Sequence, residues 1–496
     1  MTILAIDAGT TGITALIVTE AGTVTSRGYA EFSQYFPEPG WVEQLPEEIW
    51  QATLTACARA LGEAGAARVT AIGITNQRET AVIWDRATLS SPHRAIVWQD
   101  RRTSGLCQEL REAGHEPRIT ELTGLRLDPY FTATKLTWLI RRDPVIAAGI
   151  TSGELAVGTV DSYLIARLTG GRRHVTDASN ASRTLLFDLA EGQWSAELCE
   201  LFGVPPHALP DVGPSCGVLG QTDPGVFLGL AVPIAGVAGD QQAALFGQAC
   251  YTPGSAKCTY GTGSFLLRNT GGQIVRSRSG LLTTVAWMDG DGTLTYALEG
   301  SVFVTGAALQ WLRDGLGLLA RADESEALAA SVPDSGGVVF VPALTGLGAP
   351  DWDPAARGAM FGLTRGTTRA HLVRATLDAI AYEVRDVADA MAAEAEDGLA
   401  AEAPLRVDGG AAANNLLLRL QADQLQAPVE RPVIAETTAL GAAFLAGLAT
   451  GVWSSTAELA ATWRLDRRFE PGQADEAGHR RWREAVARSK GWADLG

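Results

Sequence analysis

Ile3-Leu4-Ala5-Ile6-Asp7-Ala8-Gly9-Thr10-Thr11-Gly12-Ile13-Thr14-Ala15-Leu16-Ile17-Val18 is the stretch that decides the fold class. The apolar run 3–6 reads as a buried strand, 7–12 as a glycine–threonine turn, and 14–18 as a second strand leading away. Half a chain later the pattern returns: 256–260 approaches Gly261-Thr262-Gly263, and Ser264-Phe265-Leu266-Leu267 follows. A third turn, Asp408-Gly409-Gly410, follows Leu405-Arg406-Val407 and precedes a helix predicted over 414–426. Two strand–turn–strand units this far apart imply two related halves, and the period is too long for a solenoid. The join falls near 245–253, which divides the chain into 1–247 and 248–496.

A phosphate needs several N–H or O–H donors converging without side chains in the way. Glycine permits close backbone approach and threonine adds a hydroxyl. Each turn alone reads equally as an ordinary hairpin turn; the pair, with a third opening a helix, favours a phosphate site. Asp7 suits such a site only if a magnesium ion stands between it and the phosphates. Neither GxxxxGK[ST] nor a strand-borne GxGxxG is present, which excludes a P-loop and a Rossmann nucleotide site.

The chain has 496 residues, of which 46% are hydrophobic and 19% charged, so it holds more than one core and is neither disordered nor fibrous. Forty basic against 56 acidic residues give −16, a field that repels polyanions and argues against nucleic acid as a partner. The six cysteines lie apart with no CxxC pair, unlike a disulfide scaffold or a zinc site. The N-terminus lacks the basic flank of a secretory signal. The uncharged stretch 437–457 is rich in Ala, Gly and Thr and reads as a buried helix rather than a membrane span, so a soluble, cytoplasmic protein is expected. Helices are also expected from Pro46, with Ile49, Trp50, Thr53, Leu54, Cys57 and Leu61 inward, from about Thr368, and in a charged tail carrying Trp482 and Val486.

Two polar clusters follow small-residue strands. In Gly236-Val237-Ala238-Gly239-Asp240-Gln241-Gln242, Asp240 is either a general base for an attacking hydroxyl or the cap of a helix starting at Gln241. A loose phosphoryl-transfer transition state acidifies the hydroxyl late, so an aspartate suffices as base. In Asn76-Gln77-Arg78-Glu79-Thr80, Arg78 and Glu79 either meet adjacent hydroxyls of a polyol or form a surface ion pair. Trp98 and Tyr130 either cover the carbon face of a small substrate or pack internally.

Together these segments resemble the FGGY carbohydrate kinases, and among them the glycerol kinases. The likeness runs through Gly40-Trp41-Val42-Glu43-Gln44, Gly73-Ile74-Thr75-Asn76-Gln77-Arg78-Glu79-Thr80, Asp128-Pro129-Tyr130-Phe131, Ala181-Ser182-Arg183-Thr184, the Asp240 block, Thr345-Gly346-Leu347-Gly348-Ala349-Pro350 and Val407-Asp408-Gly409-Gly410. The resemblance implies an α/β fold of two RNase-H-like domains, as in actin and hexokinase, around a deep cleft, with polyol on the first and nucleotide on the second. It implies ATP and Mg2+ as cofactors and glycerol as acceptor, with Asp240 as base. Arg78, Glu79, Tyr130, Asp240 and Gln241 would hold the hydroxyls, and Trp98 and Phe265 would flank the carbons. Thr10, Thr11, Gly12, Thr262, Gly306, Gln310, Gly410 and Asn414 would meet the nucleotide, and Asp7 with Asp240 the metal. A homo-oligomer, dimer or tetramer, is compatible with it. A kinase for another small polyol or ketose, a non-catalytic ATP-binding regulator and an actin-like filament protein are the alternatives.

Three positions and one stretch depart from the pattern. Thr14 stands where many bacterial members carry a base, Ala8 replaces a polar residue, and Asp100 replaces a common cysteine near the Trp98 wall, where a new carboxylate is expected to alter the pocket. The stretch 223–230 lacks the Arg with which some members bind a sugar bisphosphate, and no histidine lies between His207 and His371, so neither known form of regulation is expected.

Overall fold

The computed structural model describes residues 1–64, 69–394 and 403–495. Among these, two large sheets repeat one plan. In the first, strand Thr2–Ala8 pairs antiparallel with Gly12–Thr19, which pairs antiparallel with Val24–Glu31. On its other side Thr2–Ala8 runs parallel to Val69–Asn76, which runs parallel to Pro233–Gly239. In the second, Ala256–Tyr260 pairs antiparallel with Ser264–Gly271 and parallel with Leu405–Asp408, which is parallel to Val429–Pro432. This repeated order, a hairpin followed by parallel neighbours, is the RNase-H-like arrangement of actin- and hexokinase-type ATPases, as expected.

The parallel strands of the first sheet are largely apolar because both their faces are covered. On one face of the first sheet, Leu4, Ile6, Ile72 and Ile74 pack with Ile49, Trp50 and Cys57 of helix Pro46–Ala64. On the other, Ile3, Ala5 and Ala71 meet Ala439, Leu440, Ala443 and Phe444 of helix Thr437–Ala449. That helix therefore comes from late in the chain yet lies against the first sheet. Its approach requires glycine beneath it: a β-carbon at Gly73 or Gly236 would collide with the backbone of Ala442 or Ala446. The helix is shorter than the uncharged stretch 437–457, because Thr450 closes it and Gly451 turns the chain at φ 72°.

Helix Arg369–Ala393 covers the second sheet with Val373, Leu377, Ile380 and Val384, and its Thr368 forms a capping box with His371. The tail helix Glu476–Ser489 buries Trp482 and Val486 against Val341 and Tyr382. Helices Ser104–Glu112, Glu116–Thr123, Thr132–Arg142 and Pro144–Ser152 gather around a further apolar cluster in the first half, which carries Tyr130. Among the described residues, no helix is long and apolar enough to cross a membrane.

Candidate active site

The two sheets bring their glycine–threonine turns to one cleft. In the first turn, Gly9 N donates to Gly12 O at 3.1 Å. The Thr10 carbonyl accepts from the Gln44 amide at 2.7 Å, and its hydroxyl accepts from Trp98 Nε1 at 3.0 Å. The aromatic wall is thus tied directly to the turn. Thr11 stands exposed beside it. In the second turn, Gly261 N donates to Gly263 O at 2.9 Å, and Gly306 N donates to Gly261 O at 3.0 Å. A β-carbon on Gly306 would lie 2.6 Å from that carbonyl, so only glycine lets helix Gly306–Asp314 start so close to the turn.

Thr262, Gly306, Gln310, Gly410 and Asn414 line one cavity of about 430 Å3, where Arg313 and Glu326 join them. Asn414 also caps helix Asn415–Leu425 through Leu417 N. A neighbouring cavity of about 520 Å3 shares Thr262 and is lined by Trp98, Tyr130, Phe303 and Phe36. Thr262 is common to the two cavities; Thr10 of the first turn meets them through its bond to Trp98, while Thr11 and Gly12 line neither.

Beneath this opening lies the polar floor. Asp240 opens helix Asp240–Gly247 as its first residue rather than as the cap of a helix starting at Gln241; Gly239 is the cap. Its Oδ1 accepts from Gln241 N at 2.7 Å and lies 3.1 Å from Arg78 Nε, with 30% of the side chain exposed to the cleft. Burial raises the Asp240 pKa from its ordinary value, against the pull of Arg78 and Lys257. Arg78 and Glu79 are not a surface ion pair. Both are buried and their closest approach is 3.7 Å, because each has a better partner. Arg78 meets Glu299 through both Nη atoms, at 2.5 and 3.0 Å, and Tyr130 Oη at 3.3 Å. Glu79 accepts from Arg183 Nε at 2.7 Å and sits at φ 62°, a left-handed conformation costly for a side-chain-bearing residue. Burial pushes the Glu79 pKa up, with Arg78 and Arg183 opposing.

Trp98 packs edge-on to Tyr130 at 5.7 Å and to Phe265 at 6.4 Å, and Arg78 lies 5.8 Å from the Phe265 ring. These three rings border the floor on one side. Gln241 is buried, and its side-chain oxygen accepts from Lys257, which also donates to Thr259 Oγ1 at 2.9 Å.

Asp7 is raised to about 7, first by burial and then by the charge of Asp240. Thr14 is its cross-strand partner, so the position best placed to neutralise it carries no charge. Two carboxylates that act on each other, Asp7 and Asp240, suit magnesium, which takes few protein oxygens and completes its shell with water and substrate oxygens. Among the described residues, no cluster of three or more His, Cys, Asp or Glu side chains is placed to hold a metal unaided. The pair thus fits a metal that arrives with the nucleotide.

Asp100 does not alter the pocket as expected. It is 1% exposed, and its carboxylate accepts from Val42 N at 2.6 Å and from Arg102 Nε at 2.9 Å. That engagement holds the loop behind Trp98 rather than facing the cleft. The sequence reading gave no role to Glu299, Arg183, Lys257 or Lys135. Lys135 donates to the carbonyls of Tyr130 at 2.5 Å and Phe131 at 3.2 Å, and burial lowers it to about 7. The available signal was a charge interrupting an apolar strand, as in Ala297-Leu298-Glu299-Gly300 and Ala256-Lys257-Cys258.

A two-lobed α/β fold with paired phosphate turns, a carboxylate in the floor and a polar pocket beside it defines a phosphotransferase of the actin and hexokinase class. Residues 2–247 match the N-terminal domain, and residues 256–450 the C-terminal domain, of the FGGY family of carbohydrate kinases. The chain belongs to that family. It is 53% identical to glycerol kinase 2 of Thermotoga maritima and 56% identical to the glycerol kinase of Aromatoleum aromaticum, each over 99% of both chains. Its fold is similar to that of Plasmodium falciparum glycerol kinase with ADP, at a TM-score of 0.89 and 35% identity over 98% of both chains.

Proposed function

We propose that this chain transfers the γ-phosphoryl group of ATP to a terminal hydroxyl of glycerol, giving sn-glycerol 3-phosphate and ADP. The observation that carries the reading is the convergence of Arg78, Glu79, Tyr130 and Asp240 under the Trp98–Phe265 wall, beside a cavity lined by Thr262 of the second turn, with Thr10 of the first turn bonded to Trp98 of that wall. The nucleotide lies against the second lobe, in the cavity of Thr262, Gly306, Gln310, Gly410 and Asn414, with its phosphates reaching Thr10, Thr11 and Gly12. Glycerol lies on the first lobe. Its hydroxyls meet Arg78, Glu79, Tyr130, Asp240 and Gln241, and its carbons face Trp98 and Phe265.

In the transfer, the hydroxyl oxygen forms a bond to the γ-phosphorus as the bond from that phosphorus to the β,γ-bridging oxygen breaks. Asp240 accepts the hydroxyl proton, and the burial that raises its pKa makes it a better acceptor than an ordinary aspartate. Asp7 and Asp240 would hold Mg2+, which when bound offsets charge on the phosphates. Because Asp7 is drawn toward the protonated form by burial and by Asp240, its readiness for a cation rises with pH.

ADP release measured across glycerol, erythritol, xylulose, ribulose and gluconate tests the assignment. Preference for glycerol is the expected result. Preference for a ketose or a longer polyol moves the reading to a sibling kinase, and binding of ATP and glycerol without turnover moves it to a regulator.

A further inference from the structure

Glu299 stands in the Leu294–Val302 strand of the second sheet, yet its carboxylate serves the first lobe. Oε2 lies 2.5 Å from Arg78 Nη1. Oε1 accepts from Arg78 Nη2, Arg183 Nη2 and Ser301 Oγ, each at 3.0 Å. The residue is fully buried. Burial alone would favour its acid form, but Arg183 and Arg78 outweigh it and hold the group at about 2, so it is a carboxylate at any working pH.

This geometry constrains Arg78 more than any of its other contacts does. A guanidinium held fork-to-fork by one carboxylate has a fixed plane and a fixed rotation. With both Nη atoms committed to Glu299, the Nε edge is the one left to face Asp240, at 3.1 Å. Arg183 extends the arrangement, since it meets Glu299 through Nη2 and Glu79 through Nε. Two residues of the polyol pocket are therefore oriented by one acid from the opposite lobe. A plain buried ion pair added for stability is a weak alternative, because removing two charges from water offsets most of their attraction.

We propose that Glu299 is a positioning residue of the polyol site, fixing Arg78 directly and Glu79 through Arg183. This rests on the reading of Arg78, Glu79 and Asp240 as that site. The test is steady-state kinetics of the full-length wild type, Glu299→Gln and Glu299→Asp, with glycerol and ATP varied independently and melting temperature recorded alongside. Glu299→Gln keeps the shape but loses the charge and one acceptor. It is expected to raise the glycerol KM about 100-fold, the scale of a 1 Å misplacement, while the ATP KM stays nearly constant. Glu299→Asp keeps the charge at shorter reach and should fall between the two. An unmoved glycerol KM, or a rise shared equally by both substrates alongside a lower melting temperature, overturns the proposal. Should Glu299→Gln fail to fold, Glu299→Asp carries the same comparison with the same two outcomes. Absence of glycerol-dependent ADP release by the wild type refutes the polyol site and this role together. An active wild type with unmoved variants refutes this role alone.

Discussion

Around Arg78 and Arg183 two guanidinium groups face Glu79 and Glu299, all four buried and mutually paired. At the neighbouring phosphate turn the situation is reversed: Asp7 faces another carboxylate, Asp240, and the residue paired with it across the strand is Thr14. The first region is electrically complete before any substrate arrives, which suits a neutral triol that brings hydroxyls but no charge. The second carries surplus negative charge, which suits a polyphosphate only together with a cation. Asp240 belongs to both regions, since Arg78 Nε touches it from one and Asp7 acts on it from the other.

The sharpest way to break this contrast is at the shared residue. Asp240→Asn should lower kcat by about 10²- to 10⁴-fold, the range of a lost general base, while ATP binding measured by calorimetry is retained. Turnover near that of the wild type would remove Asp240 as the proton acceptor.

Next in size is Arg78→Ala. It leaves Glu299 with one guanidinium instead of two, and breaking a buried ion pair by removing one member destabilises by up to about 3–5 kcal/mol, less here because Arg183 remains. A lowered melting temperature together with a raised glycerol KM is expected. A variant as stable as the wild type would mean that the paired region is not balanced as described.

The incomplete region gives a pH signature. Asp7 has a folded pKa of about 7 against an ordinary 3.8, so between these values the folded state binds more protons than the unfolded state. Its contribution to stability is therefore lost as pH rises through that window. Asp7→Asn removes this dependence, so its gain in melting temperature over the wild type, without nucleotide or Mg2+, should be larger at pH 8 than at pH 5. An equal gain at both values would show that neither burial nor Asp240 raises the Asp7 pKa. The smallest expected effect is at Asp100. Asp100→Asn weakens its contacts to Val42 N and Arg102 and should cost about 1–3 kcal/mol, with the glycerol KM unmoved.

The sequence made the turns legible because a phosphate loop is local chemistry: Asp7 to Gly12 and Gly261 to Gly263 carry their glycines and threonines side by side. The helices from Pro46 and Thr368 were legible through their apolar spacing for the same reason. What stayed hidden was pairing across distance. Glu299 lies 221 residues from Arg78 and 116 from Arg183, and no spacing rule links them. Asp100 was misread because a carboxylate near an aromatic wall gives no sign of which side it faces. Its engagement with Val42, 58 residues earlier, decides that.

Helix Thr437–Ala449 lies against the first sheet over Gly73 and Gly236, although it is among the last parts of the chain to be synthesised. While a ribosome is still making the second half, Ile3, Ala5 and Ala71 lack their cover. The nascent first lobe must therefore wait, greasy on one side, for nearly the whole polypeptide to emerge. A stop codon placed between the halves should yield an aggregating fragment rather than an independent folding unit.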